Sequence, residues 1–149
     1  MTLHDMIPEL VFEITSTSAL LGWIVLAFAP LIPVTAQLVA GRIIPIGFGV
    51  IYAAMIVAYW GAAGGGYGSL TDVMALLSHP GTATAGWIHF LAFDLFVGAW
   101  ITLDAPRRGL PHLAVLPCLA LTFLFGPVGL LLYLALTQWR SLRRSTTEV

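Results

Sequence analysis

The stretch GWIHFLAFDLFVGAWITL, residues 86–103, decides the fold class. It is long and apolar enough to cross a bilayer, because a helix needs about 20 mostly apolar residues to span the hydrocarbon core. It nevertheless contains His89 and Asp94, and Asp104 follows directly after it. The sequence therefore places ionisable groups where water is scarce.

The composition of the whole chain is that of a membrane protein. Of its 149 residues, 59% are hydrophobic and only 9% are charged, whereas soluble domains carry about 25% charged residues. The net charge of −1 indicates no nucleic-acid partner. The single cysteine, Cys118, cannot form an internal disulfide. The start, MTLHDMIPEL, lacks the basic region of a secretory signal, so the first apolar segment is predicted to remain a span.

Four apolar windows predict an all-α integral membrane bundle of four transmembrane helices, in a single domain over residues 1–149. Spanning segments must be helical, because lipid offers no hydrogen-bond partners to free backbone groups. The predicted spans cover about residues 10–31, 43–62, 86–103 and 113–137. Between the second and third spans, Ser69 can cap a short helix over LTDVMALL, which is predicted to lie at the membrane surface. Three arginines fall on each side of these spans, so the charges give no orientation.

Asp94 is the most informative residue of the third span. An aspartate at the centre of a membrane helix costs about 2.5–3.5 kcal/mol on insertion scales and normally faces the interior of the bundle. On a helical wheel, Asp94 shares one half of the helix with every other ionisable group of the span and with both tryptophans. A neutral, buried acid there can donate a proton or a hydrogen bond. The alternative is that Asp94 joins two helices as a purely structural hydrogen-bonding group.

His89 and Glu13 are the two candidate companions of Asp94. His89 lies five residues earlier on the same wide face, and the alternative is a histidine whose tip reaches the membrane boundary. Glu13 begins a short polar stripe with Ser16 and Thr17. Glu13 either faces Asp94 across the bundle or sits among the headgroups.

Polar groups also cluster after the third span, and the fourth span contains a helix breaker. Arg107 and His112 either belong to a solvated loop or cap a pocket of the bundle, with arginine binding the polar end of a ligand. Gly126-Pro127 predicts a kink, most simply one that serves packing. No metal-ligand spacing and no phosphate-binding loop occurs, so neither a metal site nor a cofactor is predicted.

Three motifs in order, GWIHFLAFDLF, GLPH and PCLALTFLFGPVGLLLYL, resemble the plant ABA-deficient-four proteins and their bacterial relatives. The resemblance extends over about residues 10–136 and is strongest from Gly86 onward. Plant members are required to convert violaxanthin to neoxanthin, a step that opens an epoxide and leaves an allene without redox change. The positions that match the pattern are His89, Asp94, His112, Pro117, Cys118, Gly126, Pro127 and Gly129.

The resemblance implies a carotenoid or a similar apolar polyene as ligand and isomerase chemistry as function. Opening an epoxide benefits from an acid and a base, for which Asp94 and either His89 or Glu13 are the candidates. Three aromatic residues, Trp87, Phe93 and Trp100, are expected to line the polyene groove. Arg107 and His112 are expected to bind the ligand as well.

Two other functions stay open at this point. One is a non-enzymatic membrane protein that binds the pigment or steadies membrane enzymes of its pathway. The other is transport, for which one central aspartate is little support. No transit peptide is recognisable, so the chain is expected to be either a bacterial member or a processed form. A multi-pass protein of the bacterial inner membrane is the favoured localisation.

Overall fold

The computed structural model describes residues 3–147 of the chain, with side chains described for residues 6–143. Every regular element in this part of the chain is helical, which confirms the all-α prediction. The helices are α1 (Leu3–Ala27), α2 (Pro33–Leu38), α3 (Ile44–Tyr59), α4 (Leu70–Ser78), α5 (Pro80–Arg107), α6 (His112–Phe125) and α7 (Pro127–Thr147), with a π-helical turn over Val39–Ile43 between α2 and α3.

Three of the described helical segments are long and apolar enough to cross a membrane. They are Met6–Ala27, Pro33–Tyr59 and Pro80–Arg107. They overlap the first three predicted spans, although each helix begins several residues before the apolar window that predicted it. The fourth predicted span corresponds to no single helix, so a count of four spans is not confirmed.

The chain forms two compact units. Unit 1 comprises residues 1–21 and 43–93, and unit 2 comprises residues 22–42 and 94–149. The core of unit 1 is built on α3, whose Phe48, Met55 and Tyr59 are buried with Ile88 of α5. A hydrogen bond from a side chain of α5 ties α1 to this core, because the Thr84 hydroxyl donates to the Pro8 carbonyl at 3.3 Å.

The short helix that the sequence predicts after Ser69 is present as α4. The Ser69 hydroxyl accepts a hydrogen bond from the Asp72 amide at 3.1 Å, as expected of an N-cap. The helix ends at Ser78, with His79 as its C-cap, and α5 begins at Pro80, whose fixed φ suits a first helical position. Gly81 then packs so closely on the Tyr59 ring that a side chain there would collide with it. The position of α4 at a membrane surface stays a prediction.

In unit 2, the end of α1 packs tightly against the second half of α5. Gly98 makes this approach feasible, since a Cβ atom at that position would lie 2.7 Å from the Trp23 ring. Trp23 also packs edge-on against Phe123 of α6, with ring centroids 5.6 Å apart. Gln37 of α2 donates hydrogen bonds to the Ala99 carbonyl at 2.8 Å and to the Thr102 hydroxyl at 3.1 Å. The turn at residues 28–32 is therefore held in place by the contacts of Trp23 before it and of Gln37 after it.

The predicted fourth span is divided at Gly126 into two helices that fold back on each other. Gly126 has φ +47°, a conformation that residues with a Cβ rarely adopt, and Pro127 begins the next helix. Gly129 of α7 lies directly on the backbone of α6, at Cys118 and Thr122. The kink that the sequence predicts is therefore a reversal of the chain direction, which places α6 and α7 side by side as a hairpin.

This hairpin runs along the second half of α5. Tyr133 of α7 contacts Trp100 and Asp104, and further along α7 the Arg140 guanidinium donates to the Gly109 carbonyl. Helix α7 therefore runs in the same direction as α5, whereas α6 runs against it. With 14 residues, α6 is about 21 Å long, which is shorter than the roughly 30 Å of a hydrocarbon core. Within unit 2, the start of α6 and the end of α7 therefore lie at the same end.

Candidate functional site

Asp94 lies where the turn of the hairpin meets the middle of α5. One carboxyl oxygen of Asp94 stands 2.8 Å from the position that a Cβ atom of residue 126 would occupy. Because residue 126 is glycine, the carboxyl can approach the backbone at the junction of α6 and α7. The side chain is neither fully buried nor fully exposed.

Unit 2 contains a groove of about 790 Å³ at the end where the hairpin begins. This volume is within the range of about 300–1,000 Å³ that is typical of ligand pockets. Most of the lining is apolar, and we call it the arginine groove after its two cationic residues. It is lined by Ala29, Pro30, Pro33, Val34, Gln37, Leu38, Arg42, Thr102, Leu103, Ala105, Pro106, Arg107, Leu110 and His112.

Two of the polar residues of the arginine groove are held in place by the backbone. The His112 ring nitrogen Nε2 lies 2.9 Å from the carbonyl oxygen of Ala27, which fixes the ring at the start of α6. Gln37 is held through the two hydrogen bonds to α5. Arg42 belongs to the π-helical turn, a deviation from α-helical geometry that is often found at functional sites.

Asp104 belongs to a polar cluster beside the groove. It forms an ion pair with Arg108 one helical turn later and accepts a hydrogen bond from the Tyr133 hydroxyl at 2.6 Å. The Asp104 carboxylate raises the pKa of Arg108 above its usual value through a hydrogen bond and its charge. Tyr133 is fully buried, and its ring meets that of Trp100 edge-on. Asp104 therefore joins α5 to α7. Arg107, which the sequence predicts to bind ligand, lies in the lining of the arginine groove.

His89 lies in unit 1 within a group of aromatic rings. Its ring centroid is 4.6 Å from that of Phe93 and 5.7 Å from that of Tyr52. His89 also lines a smaller cavity of about 200 Å³, together with Phe90 and Tyr67. The side chain of His89 is exposed.

Trp87 and Glu13 also lie in unit 1. The Trp87 indole N–H donates to the Ser16 hydroxyl at 2.9 Å, and its ring packs on Phe12 with centroids 5.6 Å apart. Glu13 is exposed on α1. The polar stripe that the sequence predicts after Glu13 thus supplies, through Ser16, a hydrogen-bond partner for an aromatic residue of α5.

The predicted site residues are divided between the two units. Asp94, Trp100, Arg107 and His112 belong to unit 2, and the arginine groove brings Arg107 and His112 together. His89, Glu13, Trp87 and Phe93 belong to unit 1. Neither cavity described above is lined by Asp94 or by the three aromatic residues that were expected to line a polyene groove.

No motif in the sequence singles out Gln37, Arg42 or Tyr133. An arginine directly before an apolar window was the available signal for Arg42, but its position 65 residues before Arg107 says nothing about their sharing a groove. Tyr133 resembles any interfacial tyrosine until the hairpin brings it to Asp104. In the described part of the chain, no group of three or more His, Cys, Asp or Glu side chains is arranged to hold a metal ion.

These features define an all-helical membrane protein with a mostly apolar groove and a carboxyl group in the middle of a spanning helix. The chain belongs to the ABA4-like family, described as ABA DEFICIENT 4-like, whose model matches residues 10–133. This confirms the family that the motifs indicate, and membership suggests a carotenoid-related membrane protein. No curated protein and no solved structure matches the chain.

Proposed function

We propose that this protein is a membrane isomerase that acts on a carotenoid or a similar long apolar polyene. Family membership over residues 10–133 is the observation that carries the proposal. The arginine groove holds one end of the ligand, at Arg107 and His112. Its volume and its mostly apolar lining suit part of a long hydrocarbon chain.

Asp94 is the proposed proton donor. It lies eight residues before Thr102, a residue of the groove lining, which corresponds to about 12 Å along α5. The two positions are about 80° apart around the helix, on the same broad face. A ligand whose epoxide-bearing end lies toward the turn of the hairpin therefore brings that epoxide to Asp94.

The proposed reaction is the opening of an epoxide without net change in composition. The Asp94 carboxyl protonates the epoxide oxygen while one carbon–oxygen bond breaks, and the oxygen becomes a hydroxyl. A base removes a proton from the neighbouring carbon, and the electron pair of that bond forms the new double bond. His89 and Glu13 are the candidate bases, and the base gains the one proton that Asp94 loses, so the step needs no further reactant.

A second candidate function is supported by the contact between Asp94 and Gly126. A carboxyl group that lies against the backbone of a helix junction is also well placed to hold the hairpin in position. In that case the protein binds the pigment, or steadies membrane enzymes of the same pathway, without acting on the pigment itself. Both candidate functions use the groove, so the effect of substituting Asp94 on pigment conversion distinguishes them.

Pigment analysis of a carotenoid-producing host tests the proposal. The host is compared with and without this chain, with Asp94→Asn, and with Glu9→Gln as a control for an exposed acid of α1. An isomerase changes the ratio of two pigments of equal mass, Glu9→Gln preserves the change and Asp94→Asn abolishes it. An unchanged pigment profile in all four strains contradicts the proposal.

We also propose that the protein is a multi-pass protein of a bacterial inner membrane, with the arginine groove toward the cytoplasm. All six arginines belong to unit 2. The hairpin returns at the end where it enters, so Arg140 and Arg143 fall at the same end as Arg107 and Arg108. Cytoplasmic segments carry an excess of Lys and Arg, which supports this orientation.

A further inference from the structure

Gln37 presents a fixed hydrogen-bond acceptor to the arginine groove. Its amide nitrogen Nε2 donates to the Ala99 carbonyl at 2.8 Å and to the Thr102 hydroxyl at 3.1 Å. The Thr102 hydroxyl donates its own proton to the Ala99 carbonyl at 2.8 Å, so it accepts from Gln37. Both partners of the amide are therefore acceptors, and they determine which of its two ends is the nitrogen. The oxygen Oε1 is consequently held in one position on the other side of the amide.

The Oε1 atom of Gln37 is left for a partner from outside the chain. Among the described residues, no group donates a hydrogen bond to this oxygen. Every buried side-chain nitrogen or oxygen in the described part of the chain has a partner, so Oε1, which has none, is accessible. Gly41 contributes to this access, because a Cβ atom at that position would lie 3.3 Å from Oε1. The groove that Gln37 lines thus contains an open acceptor.

The two guanidinium groups of the groove complement this acceptor. Arg42 and Arg107 belong to the lining, and a guanidinium group can only donate hydrogen bonds. A hydroxyl group suits such a lining, since it donates one proton and accepts hydrogen bonds in return. A ketone, an ether or a plain hydrocarbon leaves Oε1 without a donor. An acceptor that loses water without gaining a partner costs free energy, so the lining discriminates against these groups.

We infer that Gln37 is the specificity-determining residue of the arginine groove, and that it selects a polyene whose end carries a free hydroxyl group. The hydroxyl donates to Oε1 and accepts from a guanidinium group of the lining. The neighbouring hydrocarbon packs on apolar residues of the groove, such as Leu38, Leu103 and Leu110. The inference rests on the proposed function in one respect, since it takes the groove to hold one end of an uncharged polyene.

Three polyenes with the same carbon skeleton test the inference: zeaxanthin, which has a hydroxyl at each end, its dimethyl ether, and β-carotene. None of them contains an epoxide, so binding is measured without the proposed reaction. An equimolar mixture is equilibrated with the purified full chain in lipid nanodiscs, and empty nanodiscs correct for pigment dissolved in lipid. The retained pigments are extracted and separated by chromatography. We expect zeaxanthin to be retained about fivefold more than the other two, as one net hydrogen bond typically contributes.

Gln37→Met removes the acceptor and preserves the length of the side chain. Selectivity for zeaxanthin is expected to disappear in this variant, while the retention of β-carotene is preserved. A purely structural role of Gln37 would instead reduce the retention of all three pigments alike, and that result contradicts the inference. Gln138→Met is the matched control, because Gln138 is exposed on α7 and does not line the groove, and it keeps the full selectivity.

Equal retention of the three pigments by the unsubstituted chain overturns the inference, as does full selectivity in Gln37→Met. If Gln37→Met fails to fold, Gly41→Ala takes its place, since the added methyl group crowds Oε1 without removing a donor or an acceptor. Gly41→Ala is expected to lose selectivity, and full selectivity in it overturns the inference. Gly47→Ala, whose added methyl group meets no atom within 4 Å, is its control. Selective binding without conversion of violaxanthin contradicts the proposed isomerase and supports the inference.

Discussion

Replacing Gly129 with alanine tests the hairpin that shapes unit 2. A methyl group at residue 129 would coincide with the backbone of α6, at the Thr122 amide and the Cys118 carbonyl. Backbone cannot rotate out of the way as the end of a side chain can, so α7 must move away from α6. Overpacking of this kind typically costs about 1–3 kcal/mol, and more where nothing yields.

The single cysteine of the chain reports on this movement. Cys118 is completely buried in α6, on the face that α7 covers, and it becomes reactive when the two helices separate. A fluorogenic maleimide therefore follows thermal unfolding of the protein in detergent. For a chain of this size, about 1–3 kcal/mol corresponds to a decrease in Tm of roughly 2–12 °C.

Gly47→Ala is the matched control for this substitution. A Cβ atom at Gly47 on α3 meets no other atom within 4 Å, and alanine is favoured over glycine inside a helix by roughly 0.5–1 kcal/mol. Gly47→Ala is therefore expected to keep or slightly raise the Tm. An equal Tm for Gly129→Ala, Gly47→Ala and the unsubstituted protein would refute the close packing of α6 on α7.

Two further predictions concern the path of the chain and the polar cluster. Leu31→Cys and Leu142→Cys are introduced singly into a chain that lacks the native cysteine. Both should react with an impermeant maleimide from the same, cytoplasmic side of the membrane, because the end of α7 returns to the end of unit 2 at which α6 begins. Labelling from opposite sides would instead support one continuous fourth span. Tyr133→Phe removes the hydrogen bond to Asp104 and should reduce the free energy of unfolding by about 1.5–3 kcal/mol, as is usual for a bond to a charged group. Tyr67→Phe, at an exposed position, should leave it unchanged, and equal losses in both variants would show that the bond to Asp104 contributes nothing.

The three spans and the short capped helix were predictable because their signals are local. Apolar length predicts a spanning helix wherever the residues occur. Ser69 followed by Asp72 predicts an N-cap from four consecutive residues, and the structure shows that hydrogen bond. Predicted helix ends were less accurate, since a helix continues into polar flanks that an apolar window leaves out, as α5 does from Pro80 to Arg107.

The hairpin could not be predicted from the same signals. Residues 113–137 are apolar throughout, and Gly126-Pro127 is compatible with either a kink or a reversal. The reversal depends on contacts between residues far apart in sequence, namely Gly129 against α6 and Tyr133 against Asp104. These contacts also change the distribution of charge, because they return the C-terminal arginines to the end that carries Arg107.

The candidate site shows the same division between local and long-range information. The insertion cost of a charged group identified Asp94 as unusual, and the structure gives it a specific neighbour in Gly126. Arg107 and His112 were expected at a ligand's polar end, and both line the arginine groove. Arg42 joins them because α2 and the π-helical turn pack at Ala99 of α5 within unit 2, which no sequence spacing expresses.

The most direct test of the central claim is conversion of a defined polyene by the purified protein. The full chain in lipid nanodiscs is incubated with violaxanthin, and its products are separated by chromatography and weighed by mass spectrometry. We expect a product of unchanged mass with the unsubstituted chain and with Glu9→Gln, and a loss of at least about 100-fold in rate with Asp94→Asn, which is the lower end of typical general-acid contributions. Retention of the full rate by Asp94→Asn would contradict the role of Asp94, and stoichiometric binding of the pigment without any conversion would contradict the isomerase and support a pigment-binding protein.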